Sequence, residues 1–167
     1  MPVDDAVLEG LRQEIGVEHH EDLGEVSPIL VKRFAAAVGE QRPLYTDTEF
    51  ARSQGFADVV APPNFLTAVI NWNPGAPYDR LREDGTEADT HLPGVPAKGV
   101  RIMGGGEQME FLEPVVAGTV VKRTTVLLDV NERDSRGGRM LITRYQDSYT
   151  DPSGTCLLQS VRTVLLR

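Results

Sequence analysis

Residues 27–72 read SPILVKRFAAAVGEQRPLYTDTEFARSQGFADVVAPPNFLTAVINW, and this stretch decides how the rest of the chain is read. Ser27-Pro28 has the form of a helix start, with Ser at the cap and Pro at the first helical position. Val31, Phe34, Ala35 and Val38 then recur at helical spacing, and Gly39 ends the run. Pro43 disfavours a helical Arg42, so the polar loop from Gly39 to Asp47 is expected to stay extended through it. Thr46 is expected to cap a short helix over 47–53, with Glu49 completing a capping box and Gly55 terminating it. Pro62-Pro63 then leads into a last helix, Pro63 to Trp72. Phe65, Leu66, Val69, Ile70 and Trp72 make it apolar on most sides, which predicts burial. Any chemistry is expected in the 39–47 loop, and the later strands are expected to wrap around the closing helix.

Upstream, Leu8, Leu11 and Ile15 share one face of a short helix over 4–15, with Asp4 and Asp5 at its positive end and Gly16 stopping it. Residues 18–22, Glu-His-His-Glu-Asp, are expected to form a solvated polar loop. His19 and His20 are adjacent, whereas zinc-binding pairs on helices stand three to five residues apart so that both rings face one ion. No metal site is expected.

Downstream, residues 73–99 are rich in Pro, Gly and charge, with no sustained periodicity. So long a segment is expected to be a functional flap over one end of the fold, with His91 a candidate site residue within it. From Glu107 the character changes. Residues 107–116, 119–130, 140–149 and 155–166 are rich in Val, Leu, Thr and Tyr and read as strands. Val120, Thr124, Val126, Leu128 and Val130 are assigned to one face, and Leu141, Thr143 and Tyr145 to a face of the next strand. The connections at 116–118, 135–138 and 151–154 carry turn residues. Helices first and strands later predict an α+β fold with an antiparallel meander. Gly104-Gly105-Gly106 leads into a strand and lacks a following Lys-Ser or Lys-Thr pair, so it is read as a place of close backbone approach rather than a phosphate loop.

The chain has 167 residues, 40% of them hydrophobic and 25% charged, and a net charge of −8. That suits one globular domain spanning 1–167, with 1–21 as an N-terminal extension and 73–99 as the flap. Scattered Lys and Arg on an acidic chain argue against nucleic-acid binding. No apolar run is long enough to span a bilayer, and the acidic N-terminus does not have the form of a signal peptide. The single Cys156 makes no internal disulfide, so a cytoplasmic location is expected. It lies in a strand pattern with no His beside it in sequence and is expected to be an inert thiol.

The run AAAVGEQRPLYTDTEFARSQGFADVVAPPNFLTAVI, with GGGEQMEFLEPVVAGTVV further on, resembles the N-terminal domain of MaoC-like dehydratases, also called the FAS1-like dehydratase domain. The resemblance covers roughly residues 22–166. It implies a hot-dog fold, an antiparallel sheet wrapped around a central helix, and a hydro-lyase or a subunit of one. The implied substrates are trans-2-enoyl or (R)-3-hydroxyacyl thioesters of CoA or acyl carrier protein. Active relatives carry Gly-Asp-x-Asn-Pro-aliphatic-His, because moving water across a double bond needs two groups held near the α and β carbons. A backbone N–H at the start of the central helix polarises the thioester.

Here Gly39 and Pro43-Leu44 match that pattern. Glu40 stands at the Asp position, Arg42 at the Asn position and Tyr45 at the His position. Tyr, with an ordinary pKa of about 10, does not replace a base at neutral pH. The resemblance therefore implies Glu40 and Tyr45 at the catalytic positions, and a pocket built from Arg42, Pro63, Asn64, Phe65, Leu66 and His91. It implies no cofactor. It points to the substrate-binding subunit of a heteromeric dehydratase, paired with a catalytic MaoC-like chain. The alternatives are a homodimeric atypical dehydratase or thioesterase using Glu40, and a non-catalytic acyl-carrier binding module.

Overall fold

The computed structural model describes residues 3–68, 75–82, 85, 87, 92–135 and 138–167. The elements are α1 (Asp5–Glu14), β1 (Glu18–Glu25), α2 (Pro28–Ala37), α3 (Pro43–Thr46), α4 (Thr48–Ser53), α5 (Phe65–Ala68), a 3-10 turn (Tyr78–Arg80), β2 (Ile102–Phe111), β3 (Val120–Ser135), β4 (Gly138–Thr150) and β5 (Cys156–Leu166). The strands form one five-stranded sheet in the order β1-β3-β4-β5-β2, with every pairing antiparallel. β3, β4 and β5 are the expected meander. β2 precedes them in the chain but takes the far edge beside β5, and β1 takes the opposite edge.

β1 replaces the polar loop expected at 18–22. An edge strand needs only a row of backbone hydrogen bonds, which β3 supplies from Glu18↔Val126 to Glu25↔Val120. Leu23 is the one buried residue of β1, so hydrophobic alternation was no guide to it. The boundaries of β2 also differ from expectation. The strand starts at Ile102 and ends at Phe111. Leu112 and Glu113 both donate their N–H to the Leu157 carbonyl, at 3.0 and 3.2 Å, and Pro114 has no N–H to continue the ladder.

The buried face of the sheet is not the one assigned from the sequence. In β3 the buried residues are Val121, Arg123, Thr125 and Leu127. Thr124, Val126 and Leu128 point the other way and are only partly covered. The buried series continues in β4 through Leu141, Thr143, Tyr145, Asp147 and Tyr149, and in β5 through Leu158, Ser160, Val164 and Leu166. A bulge between Leu127 and Asp129 shifts the alternation, so that Val130 packs on the buried side.

Two apolar clusters cover this face. One gathers Val31 of α2, Phe65 and Leu66 of α5, Val121, Tyr149 and Leu158. Within it the Phe34 ring meets Phe65 edge-on, with centroids 5.6 Å apart. The other gathers Leu8 and Leu11 of α1, Leu127, Leu141, Tyr145 and Leu166. The helix predicted over 63–72 is described from Phe65 to Ala68, where Phe65, Leu66 and Thr67 are buried; Pro63 and Asn64 form a turn before it, and residues 69–72 lie outside the described ones. Among the described residues no helix is long and apolar enough to cross a membrane.

Between the clusters the same face is polar. Asp147 is fully buried and accepts from Thr125 Oγ1 at 2.6 Å, Arg162 Nε at 2.5 Å and Arg162 Nη2 at 3.2 Å. Arg123 is 2% exposed and donates from Nη2 to Glu21. Burial raises the Tyr149 phenol pKa, and Asp147 adds to the effect while Arg123 opposes it.

The glycine run is a close approach inside this sheet. A Cβ on Gly105 would lie 2.8 Å from Thr163 Cγ2 and 3.2 Å from the Thr163 carbonyl, at the bulge between Gly104 and Gly106. Gly105→Ala is expected to destabilise the protein by about 1–3 kcal/mol through overpacking. Adding Thr163→Ser, which removes Cγ2, should recover part of that loss in chemical denaturation.

Candidate functional site

The loop after α2 is set by a helix-end motif. Gly39 takes φ +74°, a left-handed conformation that Gly enters without Cβ strain. Its N–H donates to Ala36 O at 3.2 Å and the Glu40 N–H donates to Ala35 O at 2.8 Å, the paired pattern of a Schellman cap. Pro43 then starts a separate turn, α3, where an extended segment was expected. That turn takes up Thr46, so Asp47 rather than Thr46 caps α4, accepting from Glu49 N at 2.9 Å and Phe50 N at 3.1 Å.

Glu40 and Arg42 lock onto each other. Glu40 Oε1 accepts the Arg42 backbone N–H at 3.0 Å, and Oε2 accepts from Arg42 Nη2 at 2.6 Å. The Arg42 guanidinium in turn lies 4.8 Å from the centroid of the Tyr45 ring, a cation–π distance. The hydrogen bonds from Arg42 hold the Glu40 carboxyl below its ordinary pKa. A carboxylate stabilised in this way is a weaker proton acceptor.

Tyr45 is buried by α3 and packs with Ala35 and Val60. It also lines a cavity of about 400 Å³ whose other walls include Pro63, Asn64, Phe65 and Leu66. Five of the residues assigned to the site from the sequence are thus together. Glu40 and Arg42 are not in the cavity wall, and His91 lies outside the described residues. Phe111 and Leu112 at the end of β2, Val115 beyond it, and Leu157 and Leu158 in β5 are among the further lining residues and were missed. A doublet of adjacent apolar residues at a strand end, such as Phe111-Leu112, was the signal available. Both are exposed, at 53% and 44%.

Asn64 has φ +67°, a left-handed conformation that Asn tolerates better than most residues. Its carbonyl accepts from Ala68 N at 2.8 Å and Thr67 Oγ1 at 3.1 Å. Asn64 therefore fixes the entry to α5 through its backbone, and the residue lines the cavity. Among the described residues the titratable groups in the wall are Tyr45 and Glu113.

The His residues of β1 point to opposite faces. His19 Nε2 lies 2.7 Å from Glu14 Oε2, and His20 Nδ1 lies 3.0 Å from Thr124 Oγ1. Among the described residues no cluster of His, Cys, Asp or Glu is placed to hold a metal ion.

A five-stranded antiparallel sheet with helices packed on its buried face, and an apolar cavity beside the buried helix, defines a hot-dog domain of the MaoC-like class. The model of the FAS1-like, dehydratase domain region matches residues 13–159, and the chain belongs to that family of dehydratases and hydratases. A UPF0336 protein of Parafrankia sp. is 30% identical over 134 residues, 78% of this chain and 80% of that one. Solved structures share the fold. The ChsH1-ChsH2 complex from Mycobacterium tuberculosis matches with TM-score 0.71 and 16% identity, covering 95% of this chain and 89% of that one. The C-terminally truncated HadBC (3R-hydroxyacyl-ACP dehydratase) complex from the same organism gives 0.63 and 18%, covering 91% and 96%. A MaoC-like dehydratase from Rhodospirillum rubrum gives 0.61 and 20%, covering 90% of each chain.

The Glu40–Arg42 lock has a direct test. Because its folded pKa is depressed, Glu40 adds stability above its ordinary pKa and loses that contribution as pH falls through the folded value. In Arg42→Ala the carboxyl is expected to titrate closer to the ordinary 4.5, as followed by side-chain NMR.

Proposed function

We propose that this chain is the substrate-binding subunit of an acyl-thioester dehydratase or hydratase, and that its cavity receives the acyl tail. The observation that carries this reading is the exchange at the family's catalytic positions. The wall holds Tyr45 where active relatives have a base, and Glu40 is turned into an ion pair with Arg42. Apolar walls contributed by Phe65, Leu66, Val115 and Leu158 suit a hydrocarbon chain.

A partner chain follows from the same reading. β2 is an edge strand, and an open edge offers unpaired backbone groups to another strand. The exposed Phe111 and Leu112 at its end border the cavity, so a chain docking there would cover apolar surface and reach the bound acyl group. The ChsH1-ChsH2 and HadBC structures are complexes of hot-dog chains, and HadBC is described as a 3R-hydroxyacyl-ACP dehydratase. By this likeness the expected substrates are (R)-3-hydroxyacyl or trans-2-enoyl thioesters, carried by CoA or acyl carrier protein, in the cytoplasm.

The purified chain is expected to bind a long enoyl-CoA by calorimetry without consuming the conjugated enoyl absorbance of that compound or of crotonyl-CoA. Val115→Trp, which fills the cavity, should weaken long-chain binding by about tenfold or more, as one well-packed apolar contact is worth about 1–3 kcal/mol. Turnover by the isolated chain would overturn the subunit reading in favour of a self-sufficient enzyme.

A further inference from the structure

The acyl cavity is open on one side and closed on the other. Phe111, Leu112 and Glu113 at the end of β2 are exposed, as are Pro63 and Asn64 ahead of α5. Tyr45, Val60, Phe65 and Leu66 are buried. The open side therefore lies beside the end of β2. Tyr45 belongs to the closed side, where it packs with Ala35 and Val60.

The closed side carries one unused polar group. Tyr45 is 7% exposed. Among the described residues its hydroxyl has no hydrogen-bond partner, yet its oxygen is not sealed from solvent. A second cavity, of about 380 Å³, lies on the β1 side of the sheet and offers a contrast. There His19, His20, Glu21 and Thr125 are each bonded within the chain, to Glu14, Thr124, Arg123 and Asp147 in turn.

The surroundings set which way the Tyr45 phenol bonds. A phenol can donate or accept. The Arg42 guanidinium lies 4.8 Å from the ring centroid, and a cation on the ring face draws electron density from the ring, which favours donation. A ligand group that meets the hydroxyl is therefore an acceptor. Glu113 in the same wall disfavours a second carboxylate there, so the acceptor is a neutral oxygen.

We infer that the cavity selects acyl chains bearing a keto oxygen on the tail, remote from the thioester, and that Tyr45 is the residue that reads it. This rests on the acyl-tail reading above. A thioester held on the open side keeps its reacting carbons where the partner reaches them, and its tail runs toward Tyr45. A plain hydrocarbon tail that fills the closed side takes the phenol away from water and returns no acceptor, which is a penalty. A tail oxygen removes the penalty.

The test is calorimetry on the full chain with dodecanoyl-CoA, 3-hydroxydodecanoyl-CoA and dodecanoyl-CoA isomers carrying one keto oxygen at successive tail carbons. One or two neighbouring keto isomers are expected to bind about tenfold or more tighter than dodecanoyl-CoA, the discrimination a hydrogen-bonding site shows against a ligand lacking the group. 3-Hydroxydodecanoyl-CoA, whose oxygen stays on the open side, is expected to bind like dodecanoyl-CoA. Tyr45→Phe removes only the hydroxyl. It should bring every keto isomer to the level of dodecanoyl-CoA, with circular dichroism and thermal midpoint unchanged. Keto isomers that bind no tighter than dodecanoyl-CoA would overturn the inference while leaving the acyl-tail reading in place. A keto preference that survives in folded Tyr45→Phe would overturn the role of Tyr45, and a preference for 3-hydroxydodecanoyl-CoA alone would overturn the tail assignment. Failure of every acyl-CoA to bind would overturn the acyl-tail reading and this inference with it.

Discussion

The buried face of the sheet is crossed by a row of charge, and the rest of the architecture is arranged on either side of it. In β3 the order of buried residues is Val121, Arg123, Thr125, Leu127; in β4 it is Tyr149, Asp147, Tyr145. In β5, Leu158 and Val164 flank Ser160 and Arg162. Each strand is therefore apolar, then polar, then apolar along one face. The two apolar clusters cannot merge, because that would strand Asp147 and Arg123 without their partners. Breaking such a buried pair costs about 3–5 kcal/mol, although replacing the whole set by apolar residues is often neutral. The row is thus better explained as a divider than as a source of stability. It gives each cluster its own helix, α5 with α2 on one side and α1 on the other, and each side its own cavity.

This division accounts for the loop between α5 and β2. The sequence suggested a flap over one end of the fold. Its described C-terminal part is tied to the second cluster, through Tyr145 to Pro93 and through Gly94 against α1. Burial pushes the Tyr145 phenol up to about 12, so the hydroxyl keeps its proton and its bond to Pro93 at any ordinary pH. The two residues that follow His91, Leu92 and Pro93, line the second cavity and not the first.

The fold was legible in the sequence because the chain announces it locally. Ser27-Pro28 and Gly39 bracket α2 where expected, the Val-rich segments became strands, and Phe65 and Leu66 after Pro63 enter the core. The Ser27 hydroxyl makes no capping bond, so the Pro and the extended backbone before it set that start. What was not legible depended on partners far away in the chain. β1 has no hydrophobic pattern of its own and exists because β3 pairs with it. The buried face of β3 was assigned to the wrong parity because Arg123 looks like a surface residue. The anion that pairs with it, Glu21, lies on another strand. The triple glycine was legible as close approach, but the contact, Thr163, lies in β5.

The candidate site divides in the same way. Tyr45, Pro63, Asn64, Phe65 and Leu66 are near neighbours in sequence, and the folded chain brings them to one cavity. Glu40 precedes Tyr45 by little more than a turn, yet the Schellman end of α2 aims it at Arg42 instead. A loop with Asn at 42 would leave an acid at 40 with a neutral neighbour. With Arg there, the acid gains a fixed counter-charge and its proton affinity falls. The two substitutions at 42 and 45 therefore act in one direction. One quiets the carboxylate and the other replaces the imidazole with a phenol that Arg42 holds by its ring face. On the proposed reading, a scaffold altered at both positions, with its cavity beside the β2 edge, holds the substrate and leaves the proton transfers to a partner chain.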